Sequence, residues 1–251
     1  PLAGGTDFYP AHVGEPINKN ILDLTGVQSL RKIEECEEDF RLGALTTWTD
    51  VIHANLPEAF RGLQQASRLI GGVQTQNAGT LCGNICNASP AADSVPNLMA
   101  LDAVVELRSV SGTRRLALQE FILGNRKTAR AENELVTALV IPRPSSKALG
   151  AFEKLGARKY LVISIAMVGV VAEWTMDQKV TQISIVVGAC SEKAIRLERL
   201  EDHCLGKKLD EIQISPDQLE ELSPIDDIRA KAGYRMEVVS ELIQRAIRRT
   251  C

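Results

Sequence analysis

The sequence predicts an α+β protein. Two adjacent runs of alternating or β-branched residues read as hairpins, one amphipathic helix closes the chain, and strands and helices gather in mixed order instead of alternating as in a doubly wound parallel sheet. Among its 251 residues, 45% are hydrophobic and 24% charged, the ordinary globular range, which suffices for one large domain or two modest ones.

Taken in chain order, Asn20 to Leu24 (NILDL) and Phe40 to Leu45 read as short strands. From Pro57 to Ile70 the apolar residues Ala59, Leu63, Ala66 and Ile70 recur at helical steps. Ala103 to Val110 alternates, turns at Ser111-Gly112 and returns through Thr113 to Leu118 as a hairpin. After an apolar strand, Pro142 to Lys147 (PRPSSK) forms the clearest seam, dividing the chain into segments 1–146 and 147–251. Leu161 to Trp174 and Val180 to Ala189 are rich in Val and Ile and predict a second hairpin around Met176 to Lys179. The remainder reads helical: from Ile228, residues Ala232, Met236, Val239, Ile243 and Ile247 keep a helical period. Asp226 and Asp227 stand at its start and Arg245, Arg248 and Arg249 near its end, an order that suits the helix dipole.

Composition excludes several classes of function. With 29 basic against 32 acidic residues, the formal charge of -3 gives no basis for capture by nucleic acid or an anionic membrane. The longest apolar run, Leu161 to Ala172, is shorter than the roughly 20 residues of a spanning helix, and no basic-then-apolar leader is seen. The six cysteines lie apart except for Cys82 and Cys86 and do not form a disulfide framework, so reduced thiols in a cytoplasmic protein are expected. The three histidines, His12, His53 and His203, stand alone, and the single C-x3-C pair lacks the partners of an iron–sulfur or zinc site. No G-x-S-x-G elbow surrounds Ser89, and neither a phosphate-binding P-loop nor a G-x-G-x-x-G helix opening occurs. Neither a metal site nor a catalytic side chain is expected in this chain.

Two segments remain that string small and hydroxyl residues around glycine. One is Ala3-Gly4-Gly5-Thr6-Asp7; the other is Gly79-Thr80-Leu81-Cys82-Gly83-Asn84, running on to Ser89 and Asp93. Glycine tolerates positive φ and lets a ligand approach the main chain, so each loop can aim consecutive N–H groups at an anion. Two such loops facing each other would suit a diphosphate; either one alone is better explained by a tight turn with no ligand. Thr6, Thr80 and Ser89 add hydroxyls, and Asp93 adds an acceptor for a ribityl or ribose hydroxyl. The chain opens at Pro1 directly before the first loop, which leads us to expect an upstream strand missing from the sequence in hand.

Together, PLAGGTD and the run IGGVQTQNAGTLCGNICNASPAADSVPNLMALDA from Ile70 to Ala103 closely resemble the two FAD-binding signatures of the flavin (medium) subunit of the xanthine dehydrogenase family of molybdenum hydroxylases. The resemblance continues through the IPRP seam and FEKLGARK (Phe152 to Lys159) into the closing helix. It implies an FAD fold of the vanillyl-alcohol-oxidase/p-cresol-methylhydroxylase type over residues 1–146, with two α+β subdomains of which the first is incomplete, and a C-terminal α+β domain over 147–251. By motif position it implies cofactor contacts at Ala3, Gly4, Gly5, Thr6, Asp7, Thr80, Cys82, Gly83, Asn84, Ser89, Asp93, Val136 and Lys154, with Phe152 near the flavin ring. Departures from the family pattern are Cys82 in place of a loop glycine, Gln76 in place of an arginine before Asn77, and Val162 in place of an aspartate after the basic stretch.

The function implied is oxidoreductase electron transfer. Substrate is hydroxylated at the molybdenum cofactor of a large partner subunit, electrons pass through 2Fe–2S clusters of a small subunit to FAD here, and then to NAD+, oxygen or another acceptor. Two alternatives stand beside it: a free-standing flavin oxidoreductase of the same fold, and a flavin-free structural or assembly subunit.

Overall fold

A computed structural model describes residues 1–251. The opening segment is irregular up to residue 32. Asn20 to Leu24, expected as a strand, makes a single parallel bridge, Leu2 to Asp23, closed by Leu2 N–H to Leu22 O at 2.8 Å and Leu24 N–H to Leu2 O at 2.9 Å. Its pairing ends there because the chain on the other side turns away into the Ala3–Asp7 loop.

Strands β1 (Ile33–Glu35) and β2 (Asp39–Gly43) then form a hairpin. β2 stops short of Leu45, since at Gly43 the main chain is pressed against Leu30, where a Cβ would come within 2.3 Å of the Leu30 carbonyl oxygen. Thr47 then starts α1 (Trp48–His53) with a capping box: its hydroxyl takes the Asp50 N–H and the Asp50 carboxylate takes the Thr47 N–H. The predicted Pro57–Ile70 helix begins as a 3-10 turn and becomes α2 (Arg61–Leu69), with Ala59, Leu63 and Ala66 buried as the period requires. Three short helices follow, α3 (Val73–Ala78), α4 (Leu81–Asn87) and α5 (Ser94–Ala100).

The first predicted hairpin is present as β3 (Val104–Ser109) and β4 (Gly112–Ala117). A turn of helix, α6 (Leu118–Phe121), leads to the small hairpin β5 (Ile122–Gly124) and β6 (Lys127–Thr128), and β7 (Leu135–Pro142) returns through the centre of the sheet. The sheet order is β1-β2-β7-β3-β4, with every pairing antiparallel. Position follows composition: the continuous apolar run of β7 is covered on both faces, whereas GTRRLA of β4 is a solvated edge. The core between sheet and helices holds Phe40 and Phe60, edge to face with centroids 5.1 Å apart, together with Trp48, Phe121 and Leu139.

Beyond the seam lies a second antiparallel sheet of β8 (Leu149–Leu155), β9 (Ala166–Trp174), β10 (Val180–Gly188) and β11 (Ile195–Arg196), in the order β11-β10-β9-β8. Helices α7 (Glu198–Cys204) and α8 (Ala232–Arg248) cover it. Three expectations need correction here. The strand expected from Leu161 starts only at Ala166, because tertiary partners claim the preceding residues: Ser164 donates to Asp93, and Ile165 O accepts from Arg235. Residues 205–231, expected as helix, contain short 3-10 turns and one antiparallel bridge, Lys208 to Lys179. The closing helix starts at Ala232 and not Ile228, since Asp227 Oδ1 takes the N–H groups of Arg229 and Ala230 into a turn and Asp226 Oδ1 takes that of Ala232.

The two sheets are held together by α2 and α5, which lie directly on the second sheet. Contact is close enough that a Cβ at Gly150 would stand 2.1 Å from Ala59 O, and one at Gly169 2.8 Å from Asn97 N. No helix is long and apolar enough to cross a membrane.

Candidate functional site

The first loop is built by glycine. Gly5 has φ +65°, and a Cβ there would meet the Tyr9 ring at 2.5 Å, so both conformation and space demand its absence. At Gly4 the restriction is steric: a Cβ would lie 1.7 Å from Ala78 O and 2.5 Å from Ala78 C. The loop main chain therefore rests on the end of α3. From the other side, a Cβ at Gly79 would stand 3.2 Å from Thr6 Oγ1 and 3.1 Å from Trp48 Nε1. The two glycine segments, more than seventy residues apart in sequence, thus meet at one junction.

The second segment departs from the expected open loop. It is the junction of two helices: Gly79 N–H closes α3 onto Thr75 O, and extended Thr80 caps α4, its hydroxyl accepting the Gly83 N–H at 3.0 Å. Leu81 N–H donates to Thr46 O and Asn84 N–H to Thr80 O, so this segment offers fewer unpaired donors than its glycines suggest. Gly83 is exposed, and its missing Cβ leaves the surface beside Thr80 open. Cys82 points the other way. Its side chain is buried in the main core, and burial, with the neighbouring Cys86, raises its thiol pKa well above the usual value. The side chain expected to adjust the loop therefore leaves the surface around Gly83 unobstructed.

The remaining expected residues divide into those near the junction and those elsewhere. Asp7 forms an ion pair with Arg126 at 2.9 Å; Arg126, left-handed at φ +58° in the β5–β6 turn, also binds Asn87 and sends its N–H to Ala88 O. Asn84 Oδ1 accepts from Ser94, and half-buried Ser89 accepts the Ala91 N–H on its hydroxyl and the Ala92 N–H on its carbonyl. Val136 sits in the core on β7, opposite Leu107 beside a register slip, so only its main chain can reach a ligand. Phe152, expected beside a flavin ring, is packed instead between Ala66 and Met167 in the interior, because strand alternation turns it inward while its neighbour Lys154 alternates back to the same side at the strand's open end. Gln76 turns its amide back to the carbonyls of Arg68 and Ile70.

Asp93 is 5% exposed, and neither carboxylate oxygen is free: Oδ2 pairs with Lys154 Nζ and Oδ1 accepts from Ser164 Oγ, both at 2.5 Å. Burial raises its pKa above the ordinary carboxyl value against the opposing pull of Lys154 and Ser164. The expected role as a direct acceptor for a ligand hydroxyl finds both oxygens already engaged.

Lys154 lines a cleft of about 300 Å³ whose apolar walls include Leu69, Tyr160, Leu161 and Val162. Tyr160 is 51% exposed, an aromatic surface presented to solvent. A Cβ at Gly72 would lie 3.8 Å from both Tyr160 Oη and Leu161 Cδ2, so the start of α3 flanks this cleft, as its end supports the glycine junction. Six helical residues separate the two, a rise of roughly 9 Å. The glycine junction and a cleft lined by Lys154, Arg158 and Lys159 beside its apolar walls thus lie at the two ends of one short helix. Sequence reasoning missed Arg126, Tyr160 and Ser164. Only Tyr160 left a trace, as an aromatic residue just past the basic stretch of FEKLGARK.

Residues 1–144 match the family described as the FAD binding domain in molybdopterin dehydrogenase, and residues 151–250 that described as the CO dehydrogenase flavoprotein C-terminal domain. The chain is similar to the nicotinate dehydrogenase FAD-subunit of Eubacterium barkeri, 31% identical over 83% of this chain and 72% of the relative. It is also similar to the nicotine 6-hydroxylase medium subunit of Paenarthrobacter nicotinovorans, 31% identical over 98% of this chain and 87% of that one. Among solved structures, a chain of the carbon monoxide dehydrogenase from Hydrogenophaga pseudoflava superposes with a TM-score of 0.86 at 26% identity, covering 100% of this chain and 89% of the other.

Proposed function

From the premise that the chain belongs to the family of FAD-binding domains of molybdopterin dehydrogenases, as a flavin-bearing medium subunit of a molybdenum hydroxylase, we propose that the glycine junction holds the diphosphate of one FAD. The contact of Gly4 with Ala78 and of Gly79 with Thr6 carries this reading, because it brings both loops to a single point. Main-chain groups of Ala3 to Asp7 form one wall, and Thr80, Gly83 and Asn84 form the other. Arg126 pairs with Asp7 and so limits the negative charge that an entering diphosphate meets. At the far end of α3, the cleft between Leu69 and Tyr160 accommodates a planar ring, with Lys154, Arg158 and Lys159 on its lining supplying positive charge.

Bound FAD supplies the exchange between the single electrons of iron–sulfur clusters and the electron pair taken by NAD+, oxygen or another acceptor. This chain binds and orients it, and no side chain here needs to act as a general base. Segment 1–146 is assigned the cofactor and segment 147–251 the role of closing the cleft through Lys154 and the 156–165 loop. The molybdenum cofactor and the 2Fe–2S clusters belong to a large and a small partner subunit.

An absorption spectrum and an FAD titration of the purified chain test the reading. Visible flavin bands and binding at least tenfold tighter for FAD than for FMN are expected, since FMN lacks the diphosphate bridge. A chain that takes up neither, or binds both equally, would refute it. Bleaching of the flavin by an organic substrate in the absence of other subunits would favour a free-standing oxidoreductase.

A further inference from the structure

Asp93, Ser164 and Lys154 come from three separate elements, the start of α5, the 156–165 loop and β8, and converge in the interior with 5%, 1% and, for the lysine side chain, 9% exposure. Each is fixed independently. Asn97 Nδ2 donates to Asp93 O at 3.0 Å. Ser164 precedes Ile165, whose carbonyl is held by the buried Arg235 of α8, and Arg235 also reaches Ala189 O and Asp227 Oδ1. Lys154 is paired in register with Met167 of β9.

The donor inventory decides what faces the cleft. Asp93 has a donor on each oxygen at 2.5 Å, is 5% exposed and does not line the cleft, whereas an ammonium has three N–H groups and Asp93 takes one. Lys154 lines the cleft together with the exposed Arg158 and Lys159, and of the three it alone is buried against a carboxylate, that of Asp93, which stands behind it. Held there by a buried counter-charge, the ammonium cannot swing into water as a surface lysine does, and its field acts through a medium of low dielectric.

Resting on the FAD reading, we propose that Asp93 and Ser164 are positioning residues that hold Lys154 as a fixed positive charge at the cleft, and that this charge favours reduction of the bound ring. A flavin that takes up two electrons and one proton keeps one negative charge, and a fixed cation beside it stabilises that state over the neutral oxidised one. Asp93 then influences the cofactor through Lys154 without touching it.

The test is a dithionite titration of the FAD-loaded chain against reference dyes, with a parallel fluorescence titration for FAD affinity. Lys154→Met and Asp93→Asn should each shift the oxidised–reduced equilibrium at least tenfold toward the oxidised form, about 30 mV for a two-electron couple. Ser164→Ala should move it less in the same direction, and Lys154→Arg should keep most of the parent value. The double variant Asp93→Asn/Lys154→Met leaves no unpaired buried charge, so it serves if Asp93→Asn fails to fold; its potential should equal that of Lys154→Met alone. Additive shifts, or an Asp93→Asn variant that loses FAD affinity while keeping its potential, would overturn the proposal and make Asp93 a direct ligand contact. A parent chain that binds no FAD would instead bring down the FAD reading, and this proposal with it.

Discussion

Gly4→Ala is the substitution that most sharply separates a shared junction from two unrelated turns. The new methyl group would lie 1.7 Å from a main-chain oxygen and 2.5 Å from a main-chain carbon of Ala78. Neither atom can rotate away, so the first loop must withdraw from α3 by more than an ångström. Overpacking of this kind costs about 1–3 kcal/mol. For a chain of this size, that is a fall in Tm of about 2–12 °C. Ligand binding should suffer more than stability suggests. Withdrawal of one wall breaks charge-assisted hydrogen bonds worth about 1.5–3 kcal/mol each, a loss of tenfold or more in FAD affinity. Gly26→Ala is the control: a Cβ there meets nothing within 4 Å, and the residue is not among those with positive φ. Thermal melts and fluorescence-monitored FAD titrations of the three proteins decide the matter. If Gly4→Ala matches the parent in both, the loops do not share a ligand in the way described.

Other substitutions probe the supports of the site. Thr80→Ala removes the cap of α4 and should cost about 1 kcal/mol in urea unfolding while weakening FAD binding, and Thr80→Ser should restore both. Cys82→Gly, which installs the glycine that the family resemblance leads one to expect there, should lower stability by about 1–3 kcal/mol and leave FAD affinity no better, since it opens a cavity in the core and places glycine inside a helix. Arg235→Leu leaves the carbonyls of Ile165 and Ala189 without their donor, and a loss of about 1–3 kcal/mol for each is expected in denaturant unfolding. For Asp227, burial opposes ionisation, but hydrogen bonds from the Arg229 and Ala230 N–H groups and the Arg229 and Arg235 side chains prevail and hold its pKa at about 2. Its contribution to stability is therefore complete above the unfolded value of about 3.9 and is lost as pH falls toward 2. Hydrogen exchange in α8 should accelerate over that interval, and unchanged protection would contradict the assignment.

What could be read from the sequence was what is local. The two hairpins and the stripe of α8 depend on neighbours a few residues away, and their periods were legible. α3 and α4 are each about two turns or less, too short to show a helical period, so their glycine and threonine residues read as a loop. The late start of β9 and the engagement of Asp93 depend on partners distant in sequence, with Lys154 61 and Ser164 71 residues beyond Asp93. No local pattern carries such pairs. The two glycine segments stand out from their residues, and the family resemblance reads them as FAD signatures, but neither shows that Cys82 turns inward or that Phe152 lies in the core.

The account stands most directly on a crystal structure of the chain with FAD bound. It predicts diphosphate oxygens within hydrogen-bonding distance of main-chain N–H groups from both residues 3–7 and residues 79–84. A diphosphate held by one of these segments alone, or bound elsewhere on the protein, would contradict it.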